Sequence, residues 1–216
     1  MIKQLTIDLM VIDLDNTLYA ADNGVFARMD EKMIAYIQRE LGLGRKEANV
    51  LRVKYWKQYG STLKGLMVHH GHDAEPFLFE AHDVDAHELL SPHDELRDVL
   101  QDIPQRKVIH TNGTTEHAET ILNALGIRDC FAAIYDIRFN QYTPKPCVKT
   151  LQQLFAQEGV AAAQVLVIDD MEDNLMVAKQ AGAKTAWVHP TATQVNHGWN
   201  QAAVSFLDLK LEASFA

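Results

Sequence analysis

The stretch "VIDLDNTLY" at residues 11–19 ends an apolar run in two aspartates, Asp13 and Asp15, with one leucine between them. If a strand continues through both, alternation places the two carboxylates on one face, where they repel each other. A divalent cation or a bound phosphoryl group would account for such a pair. These nine residues are also compatible with a solvated turn, because Asp, Asn and Thr are common turn residues.

Further polar residues stand where later strands are predicted to end. Thr111 and Asn112 follow "KVIH", Asp169 and Asp170 end "VLVIDD", and Lys145 lies between two prolines in "TPKPC". The carboxyl ends of parallel strands meet at one edge of a sheet, so we expect these side chains to lie together. Singly, each could be a helix cap, a solvated lysine or acids beside a helix N-terminus. Clustered acids, however, suit Mg²⁺, which binds a few carboxylates plus phosphate oxygens.

Alternating elements position these residues. A strand is predicted from Leu5 to Asp15, and four more are predicted over "RKVIHT", "FAAIYDI", "QVLVIDD" and "KTAWVH". Helices of about 10 to 15 residues separate the later strands, a pattern typical of a parallel sheet covered by helices on both faces. The sequence therefore predicts a Rossmann-like, doubly wound α/β core.

A helical segment interrupts this alternation directly after the first strand. Helical periodicity covers residues 26–41, 45–59 and 61–70, and a glycine follows each segment as a C-terminal cap. We predict an all-helical domain over residues 18–90, inserted into a core domain formed by residues 1–17 and 91–216. The core is expected to resume with a helix over "SPHDELRDVLQDI", with Ser91 as its N-cap.

Composition narrows the classes of partner and compartment. The 216 residues suffice for one core with a smaller inserted domain, and the formal net charge of −9 argues against a nucleic-acid polymer. A small phosphorylated substrate remains compatible with that charge. Cys130 and Cys147 are too few for a disulfide scaffold, Asp8 interrupts any secretory signal, and no apolar run approaches the roughly 20 residues of a membrane span. We expect a cytoplasmic protein without a membrane partner.

The order DxDxT, then Thr-Asn, then Lys-Pro, then an acidic pair opening a helix resembles the haloacid dehalogenase superfamily of aspartate-nucleophile phosphohydrolases. The resemblance runs from about residue 10 to 189, and "DLDNTLY" is similar to the phosphatase form of the first motif. The spacing to Gly182 aligns Asp170 with the main aspartate of the fourth motif. The second acid of many members falls here on Asn174.

This resemblance implies specific roles for the acids. Asp13 would be the nucleophile and Asp15 the general acid and base. Mg²⁺ would be held by Asp13, the backbone carbonyl of Asp15 and Asp170, with Asp169 as an alternative second acid. A dehalogenase usually lacks the second aspartate of the first motif, so Asp15 favours a phosphatase.

The resemblance also implies how a substrate would bind. Thr111, Asn112 and Lys145 would contact the phosphoryl oxygens. The segments "YWKQYGSTLKGLMVHHG" and "AHDVDAHELLSPHDELRDVL" are similar to the pyrimidine 5'-nucleotidase branch, in which the inserted helices form a cap over the site. Candidates for base or ribose contact are four cap residues, namely Tyr55, Trp56, Tyr59 and Lys64, the last at a place usually held by arginine.

The predicted function is Mg²⁺-dependent hydrolysis of pyrimidine nucleoside monophosphates such as UMP or CMP. The alternatives are a phosphatase or phosphomutase acting on a small sugar phosphate or phosphoglycolate, and a non-catalytic binding protein with the same fold. The cap aromatics could also simply pack against one another. The histidines of "HHGH" at 69–72 and His82 match no zinc spacing, which favours a structural or surface role.

Overall fold

A six-stranded, entirely parallel sheet organises the protein. The computed structural model describes residues 7–192 and 198–211. The strands lie in the order β3-β2-β1-β4-β5-β6, which confirms the predicted α/β class. They are β1 (Leu9–Ile12), β2 (Arg106–His110), β3 (Ala133–Tyr135), β4 (Val165–Asp169), β5 (Lys184–Val188) and β6 (Gln201–Ala203).

The first strand lies at the centre of this sheet. Ile12 pairs with Ile109 of β2 on one side and with Ile168 of β4 on the other, so the three strands end at the same edge. Strand β1 consists of the four residues "LMVI", all buried, as expected for a strand covered on both faces. The loops that follow β1, β2 and β4 therefore begin side by side.

Helices cover both faces of the sheet, as the sequence pattern predicts. In chain order, the helices of the described residues are α1 (Val25–Leu41), α2 (Arg45–Tyr59), α3 (Thr62–His70), α4 (Ala74–Ala81), α5 (Asp94–Asp102), α6 (Thr115–Ala124), α7 (Val148–Glu158) and α8 (Glu172–Gln180). Helices α5 to α8 supply most of the cover. Side chains of α5 and α6 pack against one face of the sheet, together with Met10 and Ile12. Those of α7 and α8 pack against the other face, together with Leu9 and Val11.

The four helices inserted after β1 form most of a third hydrophobic cluster, which also includes Ile137 of the loop after β3. It includes Ile37, Tyr55, Leu66 and Phe77, one from each helix. Helix α3 lies close to α2 because Gly65 has no side chain: a Cβ there would lie 2.1 Å from the Tyr55 ring. The beginning of the insertion, however, packs against the face of the sheet that α5 and α6 cover. Its residues in this contact are Leu18, Tyr19, Val25 and Met29. The domain boundaries given above stay a prediction.

Four details differ from the sequence prediction, and one of them is helix α4, which was not predicted as a separate element. Helix α5 begins at Asp94 rather than at Pro92, and His93 replaces the predicted Ser91 as N-cap because its Nδ1 accepts a hydrogen bond from the Leu96 backbone. Strand β6 was not predicted, since "QAA" carries no apolar alternation. Strand β1 ends at Ile12, before Asp13, while Leu5 and Thr6 of the predicted strand lie outside the described residues.

Within residues 7–192 and 198–211, no helix combines the length and the apolarity needed to cross a membrane.

Candidate active site

Lys145 joins the ends of three neighbouring strands. Its Nζ donates to Asp13 Oδ1 at 2.7 Å, to Asp169 Oδ2 at 2.9 Å and to the backbone carbonyl of His110 at 2.8 Å. Asp13 continues the β1–β4 ladder by donating its backbone N–H to Ile168. Its second oxygen accepts a hydrogen bond from Thr17 at 3.1 Å. The structure thus brings Asp13 and Lys145, 132 residues apart in the chain, into direct contact.

Burial makes this ion pair electrostatically demanding. Asp13, Lys145 and Asp169 are 8%, 8% and 2% exposed. Burial raises the pKa of Asp13 well above its usual range, Lys145 opposes this rise, and the charges of Asp169 and Asp170 add to it. Burial alone would lower the pKa of Lys145, but Asp13 and Asp169 outweigh it and raise this pKa. Three carboxylates therefore face a single ammonium group, an arrangement that favours a further cation.

Asn112 and Thr111 lie beside Lys145 and have different surroundings. The Asn112 Oδ1 accepts the Lys145 backbone N–H at 2.7 Å, and its Nδ2 lies 3.4 Å from the Lys145 carbonyl. Asn112 therefore holds the backbone of the lysine, a contact that sequence reasoning did not predict. The Thr111 Oγ1 accepts from the Gly113 backbone at 2.9 Å, which leaves its hydroxyl proton available to a phosphoryl oxygen.

The two neighbouring aspartates after β4 differ in their partners. Asp169 accepts from Lys145 on one oxygen, and from the Met171 backbone and Asn174 Nδ2 at 2.9 and 2.8 Å on the other. Asp170 has no cationic hydrogen-bond partner among the described residues. Burial and the charge of Asp169 raise its pKa to about 7, although Lys145 opposes the rise. Asn174, at the position of a second acid in many members, here orients Asp169.

These residues fit a hard divalent cation. Ligand atoms of Asp13, Asp169 and Asp170 all lie within 4.8 Å of one another, which is the geometry of a shared metal site. Beside them, the Oδ1 atom of Asn16 is buried without a hydrogen-bond partner, while the Asn16 side chain hydrogen-bonds to Asp170. An all-oxygen donor set of this kind suits Mg²⁺ better than a softer metal.

Asp15 does not share the surroundings of Asp13. Its Oδ1 accepts hydrogen bonds from the Tyr19 hydroxyl and from His117 Nε2, the latter at 2.9 Å. Burial alone would raise the pKa of Asp15, but the charge and hydrogen bond of His117 and the bond from Tyr19 outweigh it and lower the pKa. Sequence reasoning missed both partners. Tyr19 is the last residue of the motif "VIDLDNTLY" and could have been considered, whereas no sequence motif near His117 indicates a contact with Asp15.

The four cap residues that the sequence indicates for substrate contact differ in exposure and in partners. Tyr55 is 4% exposed within the helical cluster, Trp56 is 48% exposed, and Tyr59 hydrogen-bonds to His69 at 2.5 Å. The Lys64 side chain is half-buried. The turn between α2 and α3 reaches the site, because a Cβ on Gly60 would lie 3.1 Å from the Lys145 carbonyl oxygen. Tyr59 and Lys64 flank this turn.

The histidines at 69–72 pair with tyrosines. His69, His70 and His72 lie within 3.3 Å of the hydroxyls of Tyr59, Tyr55 and Tyr36, respectively. Among the residues that the structure describes, the aspartate trio forms the sole group of three or more side chains with metal-ligand spacing. The tyrosine contacts support the structural role predicted for these histidines.

Comparison with known proteins identifies the class. A family model of haloacid dehalogenase-like hydrolases matches residues 7–182. The chain belongs to this hydrolase family, as the order of its motifs predicts. The pyrimidine nucleotidase branch within the superfamily stays a prediction.

Individual relatives agree with this assignment. Phosphate metabolism protein 8 of Saccharomyces cerevisiae is 28% identical over 185 residues, an alignment that covers 79% of this chain and 58% of that longer protein. A HAD phosphatase from Thermococcus onnurineus superposes with a TM-score of 0.66 at 16% identity, covering 97% of this chain and 99% of that one. YfnB from Bacillus subtilis, solved bound to magnesium, gives 0.61 at 14% identity, covering 93% and 96%. At these identities the two structures support the fold.

Proposed function

We propose that this protein is a Mg²⁺-dependent phosphomonoester hydrolase that acts through an aspartyl-phosphate and prefers pyrimidine nucleoside monophosphates. The observation that carries the proposal is the contact of Asp13 with Lys145 beside the uncompensated carboxylate of Asp170. A bound phosphate monoester would bring its anionic oxygens to Lys145 and Thr111. A non-catalytic binding protein with the same fold would not need these like charges, whose burial costs folding free energy.

In the first step, a carboxylate oxygen of Asp13 attacks phosphorus in line with the leaving oxygen. The new bond joins Asp13 to phosphorus while the bond from phosphorus to the leaving oxygen breaks. The electron pair of the broken bond stays on the leaving oxygen, which takes a proton from Asp15. His117 and Tyr19 lower the pKa of Asp15 in the free protein, and the negative charge of a bound phosphate monoester would raise it again, so that Asp15 carries this proton in the complex. Lys145 and Thr111 donate to the equatorial oxygens, where negative charge is spread in the transition state.

In the second step, water attacks the phosphorus of the aspartyl-phosphate. Asp15, now a carboxylate, takes the proton of the water, and Asp13 leaves with its electron pair as a carboxylate. Inorganic phosphate is released, and both aspartates return to their starting protonation states. Mg²⁺, held by Asp13, Asp170 and the backbone carbonyl of Asp15, would offset the charge of the acids and of the phosphoryl group.

The comparisons support this proposal at different levels. The family match supports hydrolase chemistry, and the yeast relative carries phosphate metabolism in its name. The Thermococcus protein is called a phosphatase, and the YfnB structure contains magnesium. The preference for pyrimidine nucleotides rests on the resemblance of the inserted helices alone, so a small sugar phosphate is the alternative substrate class.

The metal assignment predicts a different Mg²⁺ requirement after substitution of two adjacent residues. Asp170→Asn should raise the Mg²⁺ concentration for half-maximal activity at least about tenfold, because a direct ligand is weakened. Asp169→Asn should change this concentration less than about threefold, because Asp169 is already occupied by Lys145, Asn174 and a backbone N–H. Activity titrated against Mg²⁺ in both variants measures the difference. The reverse order would show that Asp169 is the direct ligand.

The substrate assignment predicts a preference measurable across a panel. UMP, CMP or their deoxy forms should give a higher kcat/KM than AMP, GMP and sugar phosphates, since a closed cap can reject a purine by volume. Lys64→Ala should lower kcat/KM for UMP roughly 10-fold and leave p-nitrophenyl phosphate hydrolysis nearly unchanged. Lys54→Ala, an exposed change on α2, is the matched control. A purine nucleotide or sugar phosphate that exceeds every pyrimidine nucleotide would contradict the assignment.

A further inference from the structure

We propose that His117 is a positioning residue for Asp15. In this proposal His82, which lies at the C-terminal end of the inserted helix α4, holds His117 in place. Together they would fix the Asp15 carboxyl so that Oδ2 is the oxygen that gives and takes the proton. The inference rests on the proposed function, because it concerns the acid-base residue of that same reaction. It adds two histidines that the motifs do not include.

The hydrogen bonds at Asp15 distinguish its two oxygens. Oδ1 accepts from both the Tyr19 hydroxyl and His117 Nε2, whereas Oδ2 has no hydrogen-bond partner among the described residues. Two donors occupy both lone pairs of Oδ1. A proton on this carboxyl must then reside on Oδ2, and the two bonds at Oδ1 fix the direction in which Oδ2 points. Tyr19 comes from the same turn as Asp15, so His117 supplies the one bond that comes from a distant element.

His117 itself is held tightly on the first turn of α6. It is 3% exposed, and its backbone N–H donates to Thr114 Oγ1 at 3.2 Å. Gly113 makes room for the ring, because a Cβ there would lie 3.0 Å from His117 Cδ2 and 3.6 Å from His82 Nε2. The imidazole therefore occupies a space closed by a glycine on one side and by His82 on another.

The ring of His82 stacks on that of His117. The two ring centroids lie 4.8 Å apart with an interplanar angle of 29°. Burial, together with the neighbouring His117, lowers the pKa of His82 to about 3, so His82 is uncharged at neutral pH. The stack therefore does not place two cations face to face. The His82 Nδ1 also lies 3.5 Å from the Thr114 hydroxyl, at the outer limit of a hydrogen bond.

Helix α4, whose C-cap is His82, is anchored to the core at its other end. Glu75 receives two hydrogen bonds from Arg138, at 2.9 and 2.8 Å, and one from the Tyr142 hydroxyl at 2.7 Å. Arg138 belongs to the loop after β3, so this contact joins the inserted helices to the sheet. The seating of α4 on the core thus sets where His82 meets His117, and through it the orientation of Asp15.

Single-turnover kinetics with two leaving groups tests this role. The nucleoside alkoxide of UMP needs a proton as it leaves, whereas p-nitrophenolate is stabilised by its nitro group and needs little protonation. His117→Ala should lower the rate of phosphoryl transfer from UMP about 10- to 100-fold and that from p-nitrophenyl phosphate less than about threefold. KM for UMP should stay nearly unchanged. His117→Gln, which can donate from a similar place, should recover most of the loss.

Substitution of His82 provides the second part of the experiment. His82→Ala should show the same leaving-group dependence with a smaller loss, about three- to tenfold. His87→Ala, an exposed histidine on the segment after α4, should match wild type. Thermal unfolding of each variant shows whether it is folded, and the His117→Gln and His82→Ala variants decide the question if His117→Ala does not fold.

The outcomes separate this inference from the proposed function. Equal slowing of both substrates by His117→Ala and by His82→Ala, or a glutamine variant no better than alanine, would overturn the positioning role while leaving the phosphatase intact. Wild-type protein that hydrolyses neither substrate in Mg²⁺ would overturn the proposed function and this inference with it.

Discussion

Replacing Asp13 by asparagine should lower kcat by at least about three orders of magnitude with both UMP and p-nitrophenyl phosphate. The amide keeps the size of the side chain, and its one oxygen can still accept from Lys145, but it cannot form the covalent intermediate. The loss should not depend on the leaving group, because the nucleophile is needed for every substrate. Steady-state phosphate release in saturating Mg²⁺ measures the effect.

Two comparisons make this result specific. Asp22→Asn, an exposed aspartate in the segment after the motif, should keep wild-type turnover. The Asp13 variant should unfold at a temperature close to that of wild type, which excludes loss of structure as the cause. Turnover within tenfold of wild type in a folded Asp13→Asn protein would refute the assignment of the nucleophile.

Removing the charge of Lys145 should affect both stability and activity. Lys145→Met leaves Asp13 and Asp169 buried without their counter-charge, a change that costs about 3 kcal/mol of unfolding free energy when one partner of a buried pair is lost. Turnover should fall at least about 100-fold, because a donor to the phosphoryl oxygens is lost as well. Urea unfolding without divalent cations and phosphate release with Mg²⁺ measure the two effects.

A double-mutant cycle separates this charge effect from the loss of packing. In Asp13→Asn/Lys145→Met, one of the carboxylates that faced the lysine is neutral, so the double variant should be more stable than the sum of the two single changes predicts. Coupling between contacting residues of this kind is about 0.5–3 kcal/mol. Strict additivity would mean that the 2.7 Å contact contributes nothing to stability.

The sheet could be predicted from the sequence because each strand has a local sequence signal. Each buried strand is a short apolar run, and the polar residues directly after β1, β2 and β4 had to meet at one edge once the strands were parallel. The order of motifs then indicated the family. Strand β6 escaped prediction because three residues of "QAA" carry no period. Helix α4 escaped as a separate element although its buried residues Ala74, Phe77, Leu78 and Ala81 have helical spacing, because the exposed Phe79 adds an apolar residue outside that face.

The parts of the candidate site that escaped prediction depend on tertiary contacts. His117 hydrogen-bonds to Asp15 although the two are 102 residues apart in the sequence. His117 lies on α6 outside every recognised motif, so the sequence did not indicate this partner. Asn112 was assigned to the phosphoryl group, yet its amide holds the Lys145 backbone. Asp169 and Asp170 differ in their partners because Lys145 reaches one of them, and spacing alone cannot show which oxygen a flexible lysine will reach.

The distance in sequence between Asp13 and Lys145 has a consequence for biosynthesis. The ribosome releases the first motif early, but its neighbouring strands and its lysine follow only after all four inserted helices have been made. A nascent chain that ends before Lys145 therefore carries an aspartate with no counter-ion, and one that ends before β4 still has a central strand with one open edge. Under the proposed function, activity is acquired late, and the onset of phosphate release during synthesis or refolding would report the moment at which β4 joins the sheet.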